Sequence, residues 1–320
     1  MALTGTPIEN HLGELWSIFN FLLPGFLGKE PEFRESYADP IARGDDEAVS
    51  RLRARVRPFL LRRTKAQVLS ELPPRIEQVE RVPMTDPQAR VYEAYLRRAR
   101  EDVEGSDGAA ARFRLLAALT RLRQVCCHPR LVLEEPEWRE LAASGAEASG
   151  GKFELLGEIL DECVEEGHRV LVYSQFTSML DLIEERLEER GTPRCRLDGS
   201  TRDREGVVKR FMRDPAIPVF LISLKAGGFG LNLTQADTVI LYDPWWNPAA
   251  EDQAAARAHR MGQTLPVHVH KLITSGTVEE KIVDLQGRKR DLADRIVRSE
   301  EEALAALSLD DLRSVLFEGP

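Results

Sequence analysis

The chain is poor in the features that mark membranes, metals and disulfides. No apolar run approaches the roughly 20 residues that a membrane-spanning helix needs, and the N-terminus has neither a basic n-region nor an apolar h-region. This predicts a cytoplasmic protein with no membrane partner. Cysteine is scarce: Cys126, Cys127, Cys163 and Cys195 have neither metal-type nor disulfide-framework spacing. Cys126-Cys127-His128 is too tight for the usual zinc loop, so these are expected as core thiols in a reducing compartment, and no metal site is predicted. A basic surplus is absent too. The net charge of −9 argues against a passive nucleic-acid coat while leaving room for a local basic groove.

A phosphate loop is also missing. Ser149-Gly-Gly-Lys152 invites that reading, but the loop needs G-x-x-x-x-G-K followed by Ser or Thr. Here Ala146 stands at the first glycine position and Phe153 at the hydroxyl position. No apolar run ends in an Asp-Glu magnesium box. Asp45-Asp46-Glu47 follows Arg-Gly and is predicted to open a helix.

What is present centres on residues 219–263. Val219 to Leu224 and Thr238 to Asp243 read as buried strands, being rich in Val, Ile and Leu and bounded by loop residues. Between them Ala226-Gly227-Gly228-Phe229-Gly230 can turn sharply and bring backbone N–H groups to a ligand. A Trp245-Trp246-Asn247-Pro248 turn follows, then a helix with Glu251 and Asp252 in its first turn. Gln253, Arg257 and Arg260 fall at i, i+4 and i+7, which puts an amide and two guanidiniums on one predicted helix face. Two always-charged, fixed donors beside such a loop suit a phosphate better than a merely solvated face.

From Lys152 onward helices and strands alternate. Strands are predicted at Arg169–Ser174, Arg194–Asp198 and Val267–Ile273, with helices at Leu155–Glu166, Met179–Arg190 and Arg202–Arg213. This alternation predicts an α/β fold with a parallel, helix-covered sheet, whose ligands bind at the carboxyl ends of the strands. Ser200 or Thr201 is expected to cap the helix after Asp198. Residues 29–150 differ: strand signals are weak, and helices are predicted at Glu47–Leu60, Pro87–Glu104 and Ala109–Cys127. Residues 277–320 read as one or two helices.

Several motifs, in order, resemble the SWI/SNF-type family of DNA-translocating ATPases in helicase superfamily two. LKAGGFGLNLTQADTVILYDPWWNP and DQAAARAHRMGQ resemble its fifth and sixth motifs, and LTGTPIENHLGELWSIFNFLLPG its third. Phe59 to Lys65 with Leu72-Pro-Pro-Arg75 resembles its LRR-x-K…LPP segment, and Leu122 to Pro129 its LR-x-x-C-x-HP segment. Ser174-Gln175-Phe176 and Leu197-Asp-Gly-Ser-Thr201 resemble its fourth motif and that motif's neighbour. RAHRMGQ differs from the HR-x-GR-x-G-R pattern of RNA helicases.

The resemblance implies a RecA-like second lobe at 152–276. Residues 1–28 would end the first lobe, 29–133 would form a helical protrusion and linker, 134–151 a flexible linker, and 277–320 a brace. It implies that Arg257 and Arg260 are arginine fingers aided by Gln253, and that Gly228, Gly230 and Asn232 approach the nucleotide. ATP with Mg2+ would be bound mainly by a first RecA-like lobe of the same protein, outside this chain, so the chain alone is expected to be inactive. Thr6, Asn10, Ser174, Gln175, Ser200, Thr201, Lys225 and Trp246 are implied contacts to a double-stranded DNA backbone, with Arg62, Arg63 and Lys65 as further candidates. The family's DWNP tryptophan lies near DNA, and here Trp245 replaces the Asp before Trp246. The implied function is the C-terminal half of a bacterial-type, nucleoid-associated translocase that displaces DNA-bound proteins. Two other readings remain open: a non-catalytic DNA-binding or adaptor module, and an RNA helicase lobe.

Overall fold

A computed structural model describes residues 12–43, 45–59, 72–103, 108–143, 145–224, 226, 231–293 and 315. The chain forms two compact units, Met1–Ser70 with Arg288–Ala306, and Glu71–Gly287 with Leu307–Pro320.

In the first unit, helix α1 spans Leu12–Leu22 and helix α2 spans Asp46–Val56. Leu15 and Phe19 of α1 and Leu52 and Val56 of α2 share a core with Phe33 and Ile41. Asp45 caps α2, its carboxylate accepting from Glu47 N and Ala48 N at 2.9 and 3.0 Å, as the acidic start suggested. The helix stops at Val56, short of the expected Leu60, and tightens into a 3-10 turn over Arg57–Phe59 because Pro58 cannot continue the α-helical bonding.

The second unit is built on a six-stranded sheet. Its elements are β1 (Arg75–Val82), α3 (Asp86–Val103), α4 (Gly108–Cys127), α5 (Glu135–Ala142), α6 (Gly151–Glu165), β2 (Val170–Ser174), α7 (Thr177–Glu189), β3 (Arg194–Leu197), α8 (Arg204–Arg213), β4 (Val219–Ser223), β5 (Thr238–Leu241), α9 (Pro248–Ala258), β6 (Val267–Thr274) and the part of α10 (Val278–Ala293) up to Gly287. The strand order is β1-β6-β5-β2-β4-β3, and every pairing is parallel. Val170 of β2 aligns with Val219 of β4 on one side and Thr238 of β5 on the other.

Alternating side chains along the strands divide the core in two. Leu171, Tyr173, Phe220, Ile222, Val239 and Leu241 face Phe211 of α8 and Ala254, Ala255 and Ala258 of α9. Val170, Val172, Val219, Leu221, Ile240 and Tyr242 face Leu156 and Leu160 of α6 and Met179, Leu180 and Ile183 of α7. Helices on both faces explain why β2 and β4 read as unbroken apolar runs. All four cysteines lie buried and unpaired in this unit, and burial raises their thiol pKa values, that of Cys163 to about 11.

One strand corrects the sequence reading. β1 lies in the stretch where strand signals are weak, yet it pairs along its full length with β6, from Arg75 opposite Val267 to Val82 opposite Thr274. It is an edge strand with mostly exposed side chains, so its sequence shows no buried face.

Candidate functional site

β2 and β5 are neighbours whose chain exits lead to opposite sides of the sheet, β2 toward β3 and β5 toward β6. Their carboxyl ends therefore border the crevice where an open α/β sheet takes its ligand. Asp243, just beyond β5, is fully buried there. Its carboxylate accepts from the Ser174 hydroxyl at 2.5 Å, from Gln175 Nε2 at 2.6 Å and from Gln175 N at 3.3 Å. Ser174 Oγ in turn accepts from Phe176 N at 3.1 Å. Ser174 and Gln175 are thus joined to each other through Asp243, and the fully buried Ser174 offers no free side-chain donor.

The next residues fix the start of α9. Trp245 N donates to Glu251 Oε1 at 2.8 Å, and Gln286 of α10 donates to both Trp245 O and Glu251. Glu251, 2% exposed, also pairs with Lys271 of β6 at 3.3 Å. Asn247 caps the helix by accepting from Ala249 N at 3.0 Å. Trp245 lies in the core, and Trp246 is buried rather than displayed. Glu251 is more than the dipole-matched acid that its first-turn position suggested.

The shared helix face expected for Gln253, Arg257 and Arg260 is corrected at its end. α9 stops at Ala258, and His259 leaves the helical region at φ −85 and ψ 75, with its Nε2 2.7 Å from Pro73 O. Gln263 Nε2 bonds Ala236 O at 2.7 Å and Ala258 O at 3.3 Å. Gly262, at φ +98, lets Gln263 N reach Arg260 O at 3.0 Å in a tight turn. Gln253 and Arg257 remain on the helix, while Arg260 sits two residues beyond it.

The arginines still converge. Arg257 is buried, and its carbonyl accepts from Leu233 N at 3.0 Å. Arg260 Nη1 donates to Leu231 O at 3.2 Å. Exposed Asn232 lies between those two anchors, on the segment leaving the glycine-rich loop. Burial first, and the Arg260 cation second, lower the Arg257 pKa. Arg257 and Arg260 are thus near enough for their charges to repel. Gly228, Gly230, Lys225, Thr6, Asn10, Arg62, Arg63 and Lys65 lie outside the described residues.

Ser200 and Thr201 form a turn, not the expected helix cap. Ser200 N and Oγ donate to Asp198 Oδ1 at 2.8 and 2.6 Å, and Asp198 N donates to Thr201 Oγ1 at 3.0 Å. Asp203 caps α8 instead, accepting from Gly206 N at 2.8 Å. The reason is distance: Asp203 directly precedes the helix, which begins at Arg204. Burial pushes the Asp198 carboxyl up, but bonds from Ser200 and Arg196 outweigh it and the net shift is down.

Lys152 has a structural role. Its Nζ lies 2.7 Å and 2.8 Å from the Glu279 carboxylate and 3.1 Å from Tyr242 O, and both charged side chains are wholly buried. Burial opposes the ammonium charge, Glu279 followed by Cys127 and Cys126 together outweigh it, and the net pKa shift of Lys152 is upward. The glycines before it are steric: a Cβ on Gly150 would meet the Gln88 side chain at 2.8 Å, and one on Gly151 would meet Pro83 O at 2.7 Å. Among the described residues no group of three His, Cys, Asp or Glu is arranged to hold a metal, and no helix is long and apolar enough to cross a membrane.

A parallel sheet covered by helices on both faces, with a switch point between β2 and β5, is the architecture of a RecA-like lobe. The comparisons with known proteins specify which. The SNF2-related domain family matches residues 1–131, and the helicase conserved C-terminal domain family matches residues 151–262. The Bacillus subtilis protein YwqA is 41% identical across 98% of this chain, which spans 34% of that relative. The TATA-binding protein-associated factor MOT1 of Saccharomyces cerevisiae is 37% identical across 98% of the chain, which spans 20% of it. The SWI2/SNF2 ATPase core of Sulfolobus solfataricus in complex with double-stranded DNA matches with a TM-score of 0.62 at 36% identity, over 100% of this chain and 66% of that one. The C-terminal domain of the Sulfolobus solfataricus SWI2/SNF2 ATPase matches with a TM-score of 0.59 at 31% identity, over 75% of this chain and 97% of that one. This chain belongs to the SWI2/SNF2 ATPase family.

Proposed function

We propose that this chain supplies the arginine-bearing side of an ATP-driven translocase on double-stranded DNA, one that remodels protein–DNA complexes. The observation that carries the reading is the Arg257–Arg260 pair beside residues 231–233, with the Arg257 charge already strained by burial and by its neighbour. Guanidiniums so held can stabilise charge on a transferring phosphoryl group. Gln253, on the same helix as Arg257, helps align them, and Asn232, Gly228 and Gly230 form the adjoining nucleotide-facing loop.

The residues present fit one side of an ATP site and not its magnesium. No P-loop occurs in the 320 residues, and no acidic cluster for a metal occurs among those described. ATP with Mg2+ is therefore assigned mainly to a P-loop-bearing RecA-like lobe that meets this one. DNA would be held through its phosphates, independent of sequence. Exposed Ser200 with Thr201, together with Lys225, Thr6 and Asn10, are the proposed contacts. Gln175 joins them, while buried Ser174 and Trp246 support the loops behind.

In a protein joining this chain to a P-loop lobe, Arg260→Ala is expected to lower DNA-stimulated ATP turnover on the order of a thousandfold, with duplex affinity unchanged. Full turnover in that variant would favour an adaptor role. Stimulation by RNA in place of duplex DNA would favour an RNA helicase.

A further inference from the structure

Arg123 has no place in the machinery above, yet it reaches the crevice from a different element. It lies on α4, is 3% exposed, and donates from Nη2 to Pro244 O at 2.5 Å, across 121 residues of sequence. Its guanidinium carbon sits 5.6 Å from the Trp246 ring centroid and 5.7 Å from that of Phe176. Phe176 follows β2, and Trp246 follows β5. One side chain therefore spans both loops that border the crevice.

We propose that Arg123 is a positioning residue for ATP turnover, clamping the loops after β2 and β5 so that α9 presents its arginines in one orientation. The proposal rests on the reading that Arg257 and Arg260 act on ATP. Each link in the turn is anchored from a different side. Asp243 holds Ser174 and Gln175, Pro244 O takes Arg123, Trp245 is bonded by Glu251 and Gln286, and Asn247 caps α9. Arg257 lies less than three helical turns further on, so a rotation of the turn becomes a displacement of the guanidinium. Packing alone does not call for arginine here. Its Nε finds no acceptor among the described residues, and a buried cation with an unmet donor destabilises where Met or Leu would fill the same volume freely. What arginine adds is a rigid planar fork that bonds a carbonyl and stacks on two rings at once.

The test uses Arg123→Lys and Arg123→Met in the protein that joins this chain to a P-loop lobe, with Arg260→Ala alongside. Both Arg123 variants are expected to lower kcat for DNA-stimulated ATP turnover about a hundredfold, with KM for ATP and the thermal midpoint unchanged. Amide hydrogen exchange is expected to rise at residues 174–176 and 243–247 and nowhere else in the sheet. Turnover close to wild type overturns the proposal, and so does a loss of activity that tracks a lowered thermal midpoint with exchange raised throughout. If Arg260→Ala keeps full turnover, the arginine-finger reading fails on its own. Exchange at the two loops then decides the clamp: local loosening supports it, and unchanged exchange overturns it.

Discussion

His128 is 3% exposed; its Nδ1 accepts from Arg130 N at 3.1 Å, and its ring packs 5.0 Å from those of Trp138 and Phe153. Burial, with a smaller push from the Arg130 cation, lowers its pKa to about 3. The folded pKa lies below the unfolded one of about 6.5, so between those values the unfolded chain binds the proton and the folded chain does not. Its contribution to stability is complete above the unfolded pKa and declines as pH falls toward 3, by up to about 1.4 kcal/mol per pH unit. Urea midpoints taken from pH 7 to pH 4 are expected to fall, and His128→Asn, whose side-chain oxygen can still accept from Arg130 N, should flatten that slope. The neighbouring thiols were legible in the sequence, because Cys126-Cys127-His128 is too tight for a zinc loop. The histidine's state was not, because it depends on Trp138 and Phe153 closing over the ring.

At the scale of elements, apolar runs and stop signals gave away most of the sheet and its helices between 152 and 276, because a strand covered on both faces must be apolar throughout. Two features were hidden. β1 reads RIEQVERV, with Ile76 and Val79 exposed at 40% and 44%, so it earns its strand from β6 rather than from its own pattern. The end of α9 is likewise tertiary: Ala-Arg-Ala-His-Arg would propagate a helix, but His259 and Gln263 bond to Pro73 and Ala236 instead. The Lys152–Glu279 pair is a third long-range link, tying the first turn of α6 to the first turn of α10. Lys152→Met leaves Glu279 buried without its cation and is expected to cost about 3–5 kcal/mol, seen as a lower thermal midpoint. Lys152→Met with Glu279→Leu should recover much of that loss. A double variant no more stable than the single one would show that the pair contributes more than charge compensation.

At the scale of the whole molecule, family membership and chemistry point the same way. The chain belongs to the SWI2/SNF2 ATPase family and has no phosphate loop within its 320 residues. As it stands, it is expected to show only background ATP hydrolysis, with duplex DNA or without, and to gain DNA-stimulated turnover when a P-loop lobe is supplied. Substantial turnover by the chain alone would mean that a phosphate site lies elsewhere in it, and Lys152, locked to Glu279, is not available to form one. The burial of every cysteine has a practical corollary. A thiol reagent meets only buried cysteines on the native protein, so modification of this chain chiefly reports openings of its core. A single cysteine engineered onto the surface, on exposed Asn232 for instance, would take a fluorophore with the four native thiols left in place. The segment that carries Asn232, bonded to Arg260 through Leu231 O, could then be followed by light, one molecule at a time.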